Sequence, residues 1–453
     1  MKTINPATGQ TIRVYEEMDF EEIDSIIQKA NEAQAKWKTK SFEERAGYLR
    51  NIADNLRNRK EELAELMANE MGKPFQQGVG EAEKCAWVCE YYADNAEEFL
   101  QKDYIETDAA KSYVTFNPLG VVLAIMPWNF PFWQLFRFAA PALMAGNGAI
   151  LKHSQNTTGS ALEIEKIIHD AGIPKELFRT IIRSKGGMKE VIQHNGIAAV
   201  TLTGSTKAGK AVAAQAGESL KKTVLELGGS DPYVILEDAD IQKAAETCVT
   251  SRLINSGQSC IAAKRFIVTE KVYEEFMEEF TRLMKAKKTG DPFVEDTDVG
   301  PQAREDLRDE LHEQVQKSVE KGAKLLLGGK KPEGLGAYYP VTVLENVQPG
   351  MPAYEEELFG PVAAIIKVKN EAEAIRVAND TNFGLGAAVF SRDLARAEEI
   401  AANKLEAGCC FVNEFVKSDP RLPFGGVKES GYGRELGLYG IREFVNAKTV
   451  YIR

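Results

Sequence analysis

The sequence predicts an α/β protein built on two parallel sheets, and three observations carry that expectation. Between about residues 112 and 236, short apolar runs alternate with amphipathic helical stretches. A second alternating block runs from about 240 to 415. The chain has 453 residues, more than one hydrophobic core usually supports, so two or three domains are expected.

Taken in order, the first hundred residues read as helices. D-F-E-E-I-D-S-I-I-Q-K-A (19–30) places apolar residues at helical period, and S-F-E-E (41–44) is a capping box opening a long amphipathic helix. M-G-K-P (71–74) ends that helix, since glycine and proline both oppose continuation. The first block supplies the strand candidates V-V-L-A-I-M, G-A-I-L-K, I-A-A-V-T-L and P-Y-V-I-L. The second supplies R-F-I-V, A-K-L-L-L, A-A-I-I-K-V, G-A-A-V-F and G-C-C-F-V. Two further candidates, K-S-Y-V-T-F (111–116) and the terminal T-V-Y-I-R, have no evident partner and are expected to pair outside these blocks, with another subunit as one option.

Composition excludes several classes. The chain is 44% hydrophobic and 27% charged with no low-complexity tract, so it is globular. A net charge of -11 argues against nucleic acid or an anionic membrane as partner. No apolar run reaches the roughly 20 residues of a membrane helix, and M-K-T-I-N-P lacks the apolar core of a secretory signal, so a cytoplasmic protein is expected. The six cysteines (85, 89, 248, 260, 409, 410) are too few and irregular for a disulfide scaffold. Cys85 and Cys89 should pack within a helix, while adjacent Cys409 and Cys410 should point to opposite faces of a strand. With four histidines, none in ligand spacing to these cysteines, no metal site is expected.

Four stretches can carry chemistry, and each has a bland alternative. Cys260 sits in N-S-G-Q-S-C-I (255–261), where glycine and small polar neighbours suit close approach to a substrate; it is a nucleophile or a spare core thiol. Glu226 ends the apolar run of T-V-L-E-L-G-G (223–229). Burial would raise its pKa toward that of a general base, whereas exposure at a strand end would leave it bonded to the glycine amides. Asn129, between the prolines of P-W-N-F-P (127–131), is an oxyanion donor or a turn cap. T-G-S-T-K-A-G-K-A-V (203–212) is a strand, turn and helix start that presents amides to phosphate, although it is not G-x-G-x-x-G. Lys152 and Gln155, in A-I-L-K-H-S-Q, follow another strand and can reach a nucleotide ribose beyond its carboxyl end.

P-W-N-F-P, L-K-H-S, T-G-S-T, L-E-L-G-G, G-Q-S-C, E-E-L-F-G-P (356–361) and P-F-G-G-V-K-E-S-G (423–431) occur here in the order found in the aldehyde dehydrogenase superfamily. The chain resembles that superfamily throughout, from N-P-A-T-G to the terminal strand. The resemblance implies two Rossmann-like domains and a small oligomerisation arm: residues 1–108 and 121–227 for NAD(P) binding, 228–428 for catalysis, and 109–120 with 429–453 for assembly into a homodimer or a dimer of dimers. It implies Cys260 as nucleophile, Asn129 and the Cys260 amide as oxyanion donors, and Glu226 as activator of the hydrolytic water. Lys152 would bind the adenine ribose and Glu357 the nicotinamide ribose. Phe359 would lie near the nicotinamide, Gly204 and Ser205 beside the pyrophosphate, and Trp128 near the adenosine. Family members that prefer NAD often carry glutamate where Gln155 stands. Losing that charge makes NADP tolerated and allows a preference for it over NAD.

Arg137, in P-F-W-Q-L-F-R-F-A-A-P, needs an anionic partner inside an apolar helix. That partner is either a carboxylate elsewhere in the chain or an anionic substrate. Arginine here resembles succinate-semialdehyde dehydrogenases, where it holds the substrate carboxylate, and Ser418 resembles the serine that helps. Arg252 either adds charge near the site or faces solvent. Ala262 replaces the second cysteine of some relatives, which removes a disulfide switch between such neighbours. The resemblance therefore implies an NAD(P)-dependent oxidation of a small carboxylate-bearing aldehyde, succinate semialdehyde foremost. Its competitors are a broad-specificity medium-chain aldehyde dehydrogenase, a CoA-acylating relative and a non-catalytic structural or binding member.

Overall fold

The computed structural model describes residues 1–453, the side chain of Lys185 apart. β1 (Lys2–Ile4) and β2 (Thr11–Val14) form an antiparallel ribbon. Asp19 accepts from the Glu22 N–H to start α1 (Phe20–Trp37), and Ser41 and Glu44 cap α2 (Phe42–Asn58) reciprocally, as the capping-box motif predicts. The expected single long helix is in fact two, because the backbone leaves helical geometry at Arg59 before α3 (Lys60–Met71). Gly72 stops α3 at φ +76°, where a Cβ would lie 2.6 Å from the Pro301 ring. Pro74 leads straight into α4 (Phe75–Phe99), which buries Cys85 and Cys89.

The chain then lays down β3 (Asp103–Tyr104) and β4 (Lys111–Pro118) before entering the first large sheet. That sheet holds β5 (Val121–Met126), β6 (Gly148–His153), β7 (Phe178–Thr180), β8 (Ala199–Thr203) and β9 (Lys222–Glu226), all parallel. The connecting helices include α5 (Trp133–Met144), α6 (Thr158–Asp170), α7 (Met188–Gln193) and α8 (Thr206–Gly217). Strand order is β9-β8-β5-β6-β7, so the direction of winding reverses between β5 and β8. A crevice opens outside the carboxyl ends of strands at such a reversal.

The second sheet is β10 (Pro232–Ile235), β11 (Arg265–Thr269), β12 (Lys324–Leu327), β13 (Thr342–Glu345), β14 (Val362–Val368), β15 (Gly386–Phe390) and β16 (Cys409–Val412), in the order β12-β13-β14-β11-β10-β15-β16. Only β12 runs antiparallel, at the edge. α9 (Ile241–Leu253) crosses between β10 and β11. Cys409 packs toward one core layer and Cys410 toward the other, as alternation predicts.

Late in the chain, β17 (Gly431–Tyr432) returns to the first sheet antiparallel to β9, and β18 (Val445–Ile452) closes the fold. Two expectations need correction. P-Y-V-I-L, assigned to the first block, is β10 of the second sheet, because the chain crosses over at the glycines after Glu226. The two strands without evident partners pair with each other: β18 lies antiparallel on β4 along its whole length, from Val445↔Pro118 to Ile452↔Lys111, and β3 flanks β4 on the other side. That pairing spans over 300 positions, beyond any local signal.

Candidate active site

Four of the motifs meet because their strands end at the same edge. P-W-N-F-P leaves β5, T-G-S-T leaves β8, Glu226 is the last residue of β9, and the Cys260 turn lies just before β11. Between them is a cleft of about 440 Å³ lined by Trp128, Asn129, Thr203, Gly204, Ser205, Gly228, Cys260, Glu357 and Phe359, among others. Trp128 and Phe359 meet edge to face across it, with centroids 5.6 Å apart.

The Cys260 turn is held in an unusual conformation by buried polar groups. Asn255, Ser256 and Gly257 are consecutive left-handed residues (φ 53°, 58° and 76°). Gly257 is obligatory, since a Cβ there would run into the Gly360 carbonyl. The Asn255 side chain donates to the carbonyls of Asn129 (2.7 Å) and Gln258 (3.1 Å). Asn129 Nδ2 donates to Gln258 O at 3.2 Å, which leaves its second hydrogen for the cleft. Lys264 Nζ donates to the carbonyls of Ser259 (2.9 Å) and Cys260 (2.5 Å). Among the described residues the Cys260 N–H meets no acceptor, so two donors, this amide and Asn129, remain for a developing oxyanion.

Arg252, expected near the site or in solvent, does not face solvent but lies behind the Cys260 turn, within electrostatic reach of Glu357. It is fully buried, and its Nη2 donates to Gly257 O at 2.7 Å, bracing the strained turn from α9. Burial pulls its pKa down to about 9.

The thiol itself is not ionised by its surroundings. Burial pushes Cys260 up to about 12, against the nearby charges of Arg137 and Lys264. Its claim to be the nucleophile thus rests on position, not on a depressed pKa.

Glu226 is buried, with neither carboxylate oxygen hydrogen-bonded among the described residues. The strand-end alternative, bonding to the glycine amides, is therefore not what the fold adopts. Burial holds its pKa well above the usual carboxylate range, opposed by Arg137 and Arg434 and reinforced by Glu435. Space for it comes from Gly425, where a Cβ would sit 2.7 Å from Glu226 Oε1. Ser430 locks the segment by donating to Gly228 O at 2.6 Å and accepting from Gly384 N at 3.0 Å. The P-F-G-G-V-K-E-S-G motif thus packs against L-E-L-G-G as structural support.

Arg137 is buried on α5 and ion-paired with Glu435, while its Nη2 donates to Thr203 Oγ1 at 3.2 Å. The anionic partner that its burial demands is supplied within the chain, by a residue that no motif singled out. α5 itself is aimed by Glu81 of α4, which accepts from the Phe132 (2.9 Å) and Trp133 (3.0 Å) amides at the helix start and pairs with the buried Lys73. Glu435, Lys264, Glu81 and Lys73 are functional supports the sequence hid, since a lone charged residue carries no local pattern.

The cofactor candidates divide into two groups. Ser205 is the N-cap of α8, its hydroxyl accepting from Ala208 N, so the first-turn amides face the cleft with Gly204 beside them. Glu357 lies on the opposite wall, accepting from Gly229 N (3.1 Å) and facing Lys264 Nζ (3.3 Å). Lys152, buried, and Gln155, exposed, lie around the carboxyl end of β6, one strand beyond the cleft. His153 steadies that edge. Its Nε2 meets Pro131 O at 3.0 Å, and burial pulls its pKa down to about 4, so the ring is neutral. A helix start and a Gly-lined floor at one end, with an aromatic pair and a carboxylate at the other, fit a dinucleotide.

Ser418 is buried and accepts from Lys84 Nζ (2.9 Å) and Trp133 Nε1 (3.0 Å), against the start of α5.

The sequence profile of the aldehyde dehydrogenase family matches residues 1–450. The chain belongs to the aldehyde dehydrogenase family. Among its relatives, a probable NADP(+) succinate-semialdehyde dehydrogenase of Synechocystis is 48% identical over 450 residues, 99% of each chain. The NAD(P)+ succinate semialdehyde dehydrogenase of Escherichia coli is 46% identical over 449 residues, 99% of this chain and 97% of that one. Among solved structures, the succinic semialdehyde dehydrogenase of Streptococcus pyogenes with NADP+ superposes with a TM-score of 0.97 at 38% identity, covering 100% of this chain and 99% of that chain. No helix among the described residues is long and apolar enough to cross a membrane.

Proposed function

We propose that this protein oxidises succinate semialdehyde to succinate with NADP or NAD as hydride acceptor. The observation that carries the reading is that Cys260 and Asn129 line one cleft with Gly204, Ser205, Glu357 and Phe359, with Glu226 buried within electrostatic reach of the Cys260 thiol. The high identity to succinate-semialdehyde dehydrogenases over nearly the whole chain supports the substrate.

Cys260 Sγ, giving up its proton to solvent, attacks the aldehyde carbon, and the oxygen that becomes negative is received by the Asn129 side-chain N–H and the Cys260 amide. The cofactor, when bound, takes the hydride that converts the thiohemiacetal to a thioester. Glu226 then accepts a proton from water as that water attacks the thioester carbonyl, and Cys260 is released with succinate. Lys264 and Arg137 keep positive charge beside the sulfur throughout, opposing the burial that otherwise disfavours a thiolate. Within this reading Lys152, Gln155, Gly204, Ser205, Trp128, Glu357 and Phe359 hold the cofactor. A glutamine at 155 does not repel a 2′-phosphate, so NADP is accepted as well as NAD.

The same reading keeps 1–108 and 121–227 as the cofactor domain and 228–428 as the catalytic domain. It assigns 109–120 and 429–453 to assembly in a cytoplasmic homo-oligomer. The outer edge of β18 and exposed Tyr451 and Ile452 support that role.

Initial rates of nicotinamide reduction with succinate semialdehyde and butanal, each with NADP and NAD, test the function. Strong preference for the charged aldehyde is expected. Equal rates for the two aldehydes would remove the specific substrate, and no reduction with any aldehyde would remove the oxidoreductase.

A further inference from the structure

A fully buried lysine needs a reason, because desolvating an ammonium is costly and an apolar side chain of similar volume avoids the cost. Lys264 is such a residue. It stands just before β11, its backbone N–H donating to Asp231 O (3.1 Å) and its carbonyl accepting from Ala364 N (3.0 Å), so the chain on both sides anchors its backbone. Its ammonium has three N–H groups, and three acceptors meet them: Ser259 O at 2.9 Å, Cys260 O at 2.5 Å and Glu357 Oε1 at 3.3 Å.

The first of these bonds sets the direction of another. The Ser259 carbonyl and the Cys260 N–H are the two ends of one peptide unit. That unit is planar and trans, so the C=O and the N–H point in opposite directions. Ser259 O accepts from Lys264 Nζ and from Ala262 N (3.2 Å), which uses both of its lone pairs and fixes the plane. The Cys260 N–H, directed the other way, meets no acceptor among the described residues and is left for the cleft that Cys260 lines.

Fixing this plane matters because the turn before it is strained, with Asn255, Ser256 and Gly257 all left-handed. A peptide that rotated to relax the turn would bring a carbonyl oxygen to the place where negative charge must develop. The ammonium also acts through the bond it makes. Drawing electron density onto Ser259 O strengthens the N–H at the other end of the same peptide as a donor.

The remaining two bonds tie this peptide to its surroundings. A Cβ on Gly229 would lie 2.7 Å from Cys260 O, so the glycine leaves that carbonyl the space to reach Lys264. The Gly229 N–H donates to Glu357 Oε1 (3.1 Å), the carboxylate oxygen that takes the third ammonium N–H.

We propose that Lys264 is the positioning residue of the oxyanion site: its ammonium holds and polarises the Ser259–Cys260 peptide so that the Cys260 N–H is presented to the reacting carbonyl oxygen. This rests on the reading of Cys260 as nucleophile and of its amide as an oxyanion donor.

The test compares wild type, K264M, K264R and N129A in a reaction that needs neither nicotinamide nor Glu357, the acylation of Cys260 by p-nitrophenyl acetate, read as release of p-nitrophenolate. Methionine keeps the unbranched stem and removes the ammonium. Losing an oxyanion donor outright costs about 10²- to 10³-fold, so misplacing one should slow acylation at saturating ester by about 10- to 100-fold in K264M. The half-saturating ester concentration should hold, and K264R, which keeps charge and donors, should recover part of the rate. Alkylation of Cys260 by iodoacetamide forms no oxyanion. It should fall by about threefold at most, since the scarcer thiolate is also the more nucleophilic one. Should K264M not fold, K264Q, which keeps a neutral donor, carries the same comparison. Equal losses in acylation and alkylation would place the effect on the thiolate and overturn the proposal. Acylation unchanged in K264M but lost in N129A would also overturn it, while the oxyanion site itself stands. If wild type oxidises no aldehyde yet ester acylation depends on Lys264 in this way, the dehydrogenase reading fails and the role of Lys264 remains.

Discussion

Replacing Glu226 with glutamine separates the two halves of the proposed reaction. The substitution conserves shape, so the space left by Gly425 stays filled and β9 keeps its pairing with Gly431. What disappears is the proton acceptor. A positioned general base contributes about 10²- to 10⁴-fold, so thioester hydrolysis should slow by that factor, about 3 to 5 kcal/mol of barrier. Acylation uses Cys260 and Asn129 and should survive. Rapid mixing of E226Q with NADP and succinate semialdehyde should therefore give a burst of about one NADPH per active site, followed by a slow steady state.

The same substitution should raise stability at neutral pH, and the sign follows from burial. The folded-state pKa of Glu226 lies above its unfolded value. Below the unfolded value both states are protonated and the residue contributes no pH-dependent difference. As pH rises past it, the unfolded chain releases a proton that the folded one retains, so stability falls. Glutamine does not titrate, so E226Q should melt above wild type near pH 8, with the gap narrowing toward pH 4. A slow mutant lacking any burst, or one that turns over at the wild-type rate, would refute the assignment of Glu226 to deacylation.

Other consequences follow from the same geometry. With the Cys260 thiol held near pKa 12, alkylation of the free enzyme by iodoacetamide, followed on the Cys260 peptide, should accelerate steadily from pH 7 to 10; a plateau below pH 8 would show an ionised resting thiol. N129A removes an oxyanion donor and should lower kcat by about 10²- to 10³-fold. It also removes one of the two side-chain donors to Gln258 O, leaving that of Asn255, so a modest fall in melting temperature should accompany it. Q155E places a carboxylate at the exposed end of β6 and should raise the KM for NADP while leaving that for NAD unchanged or lower. Equal effects on both cofactors would remove Gln155 from the ribose site.

Much of the site was legible because motifs at strand ends are local. P-W-N-F-P, T-G-S-T and L-E-L-G-G each end an apolar run, and a parallel sheet brings such ends to one edge. The strands Phe178–Thr180 and Thr342–Glu345 went unread, being too short to show a period. The break at Arg59 was also missed, because the helical pattern continues on either side of it. What sequence could not supply were pairings between distant charges. Arg137 demanded an anion, but nothing local pointed to Glu435, 298 positions on. Arg252 reads as an ordinary helix residue until the strained turn folds back over it. Lys84, the one lysine among the glutamates of α4, reads as an ordinary helix residue until α5 and the Ser418 loop close around it.

Mass spectrometry of the enzyme quenched during turnover tests the central claim most directly. With succinate semialdehyde and NADP, E226Q should accumulate a succinyl thioester confined to the peptide bearing Cys260, and the adduct should vanish without NADP. A succinyl group on another residue, or steady oxidation with no covalent species on Cys260, would contradict the account.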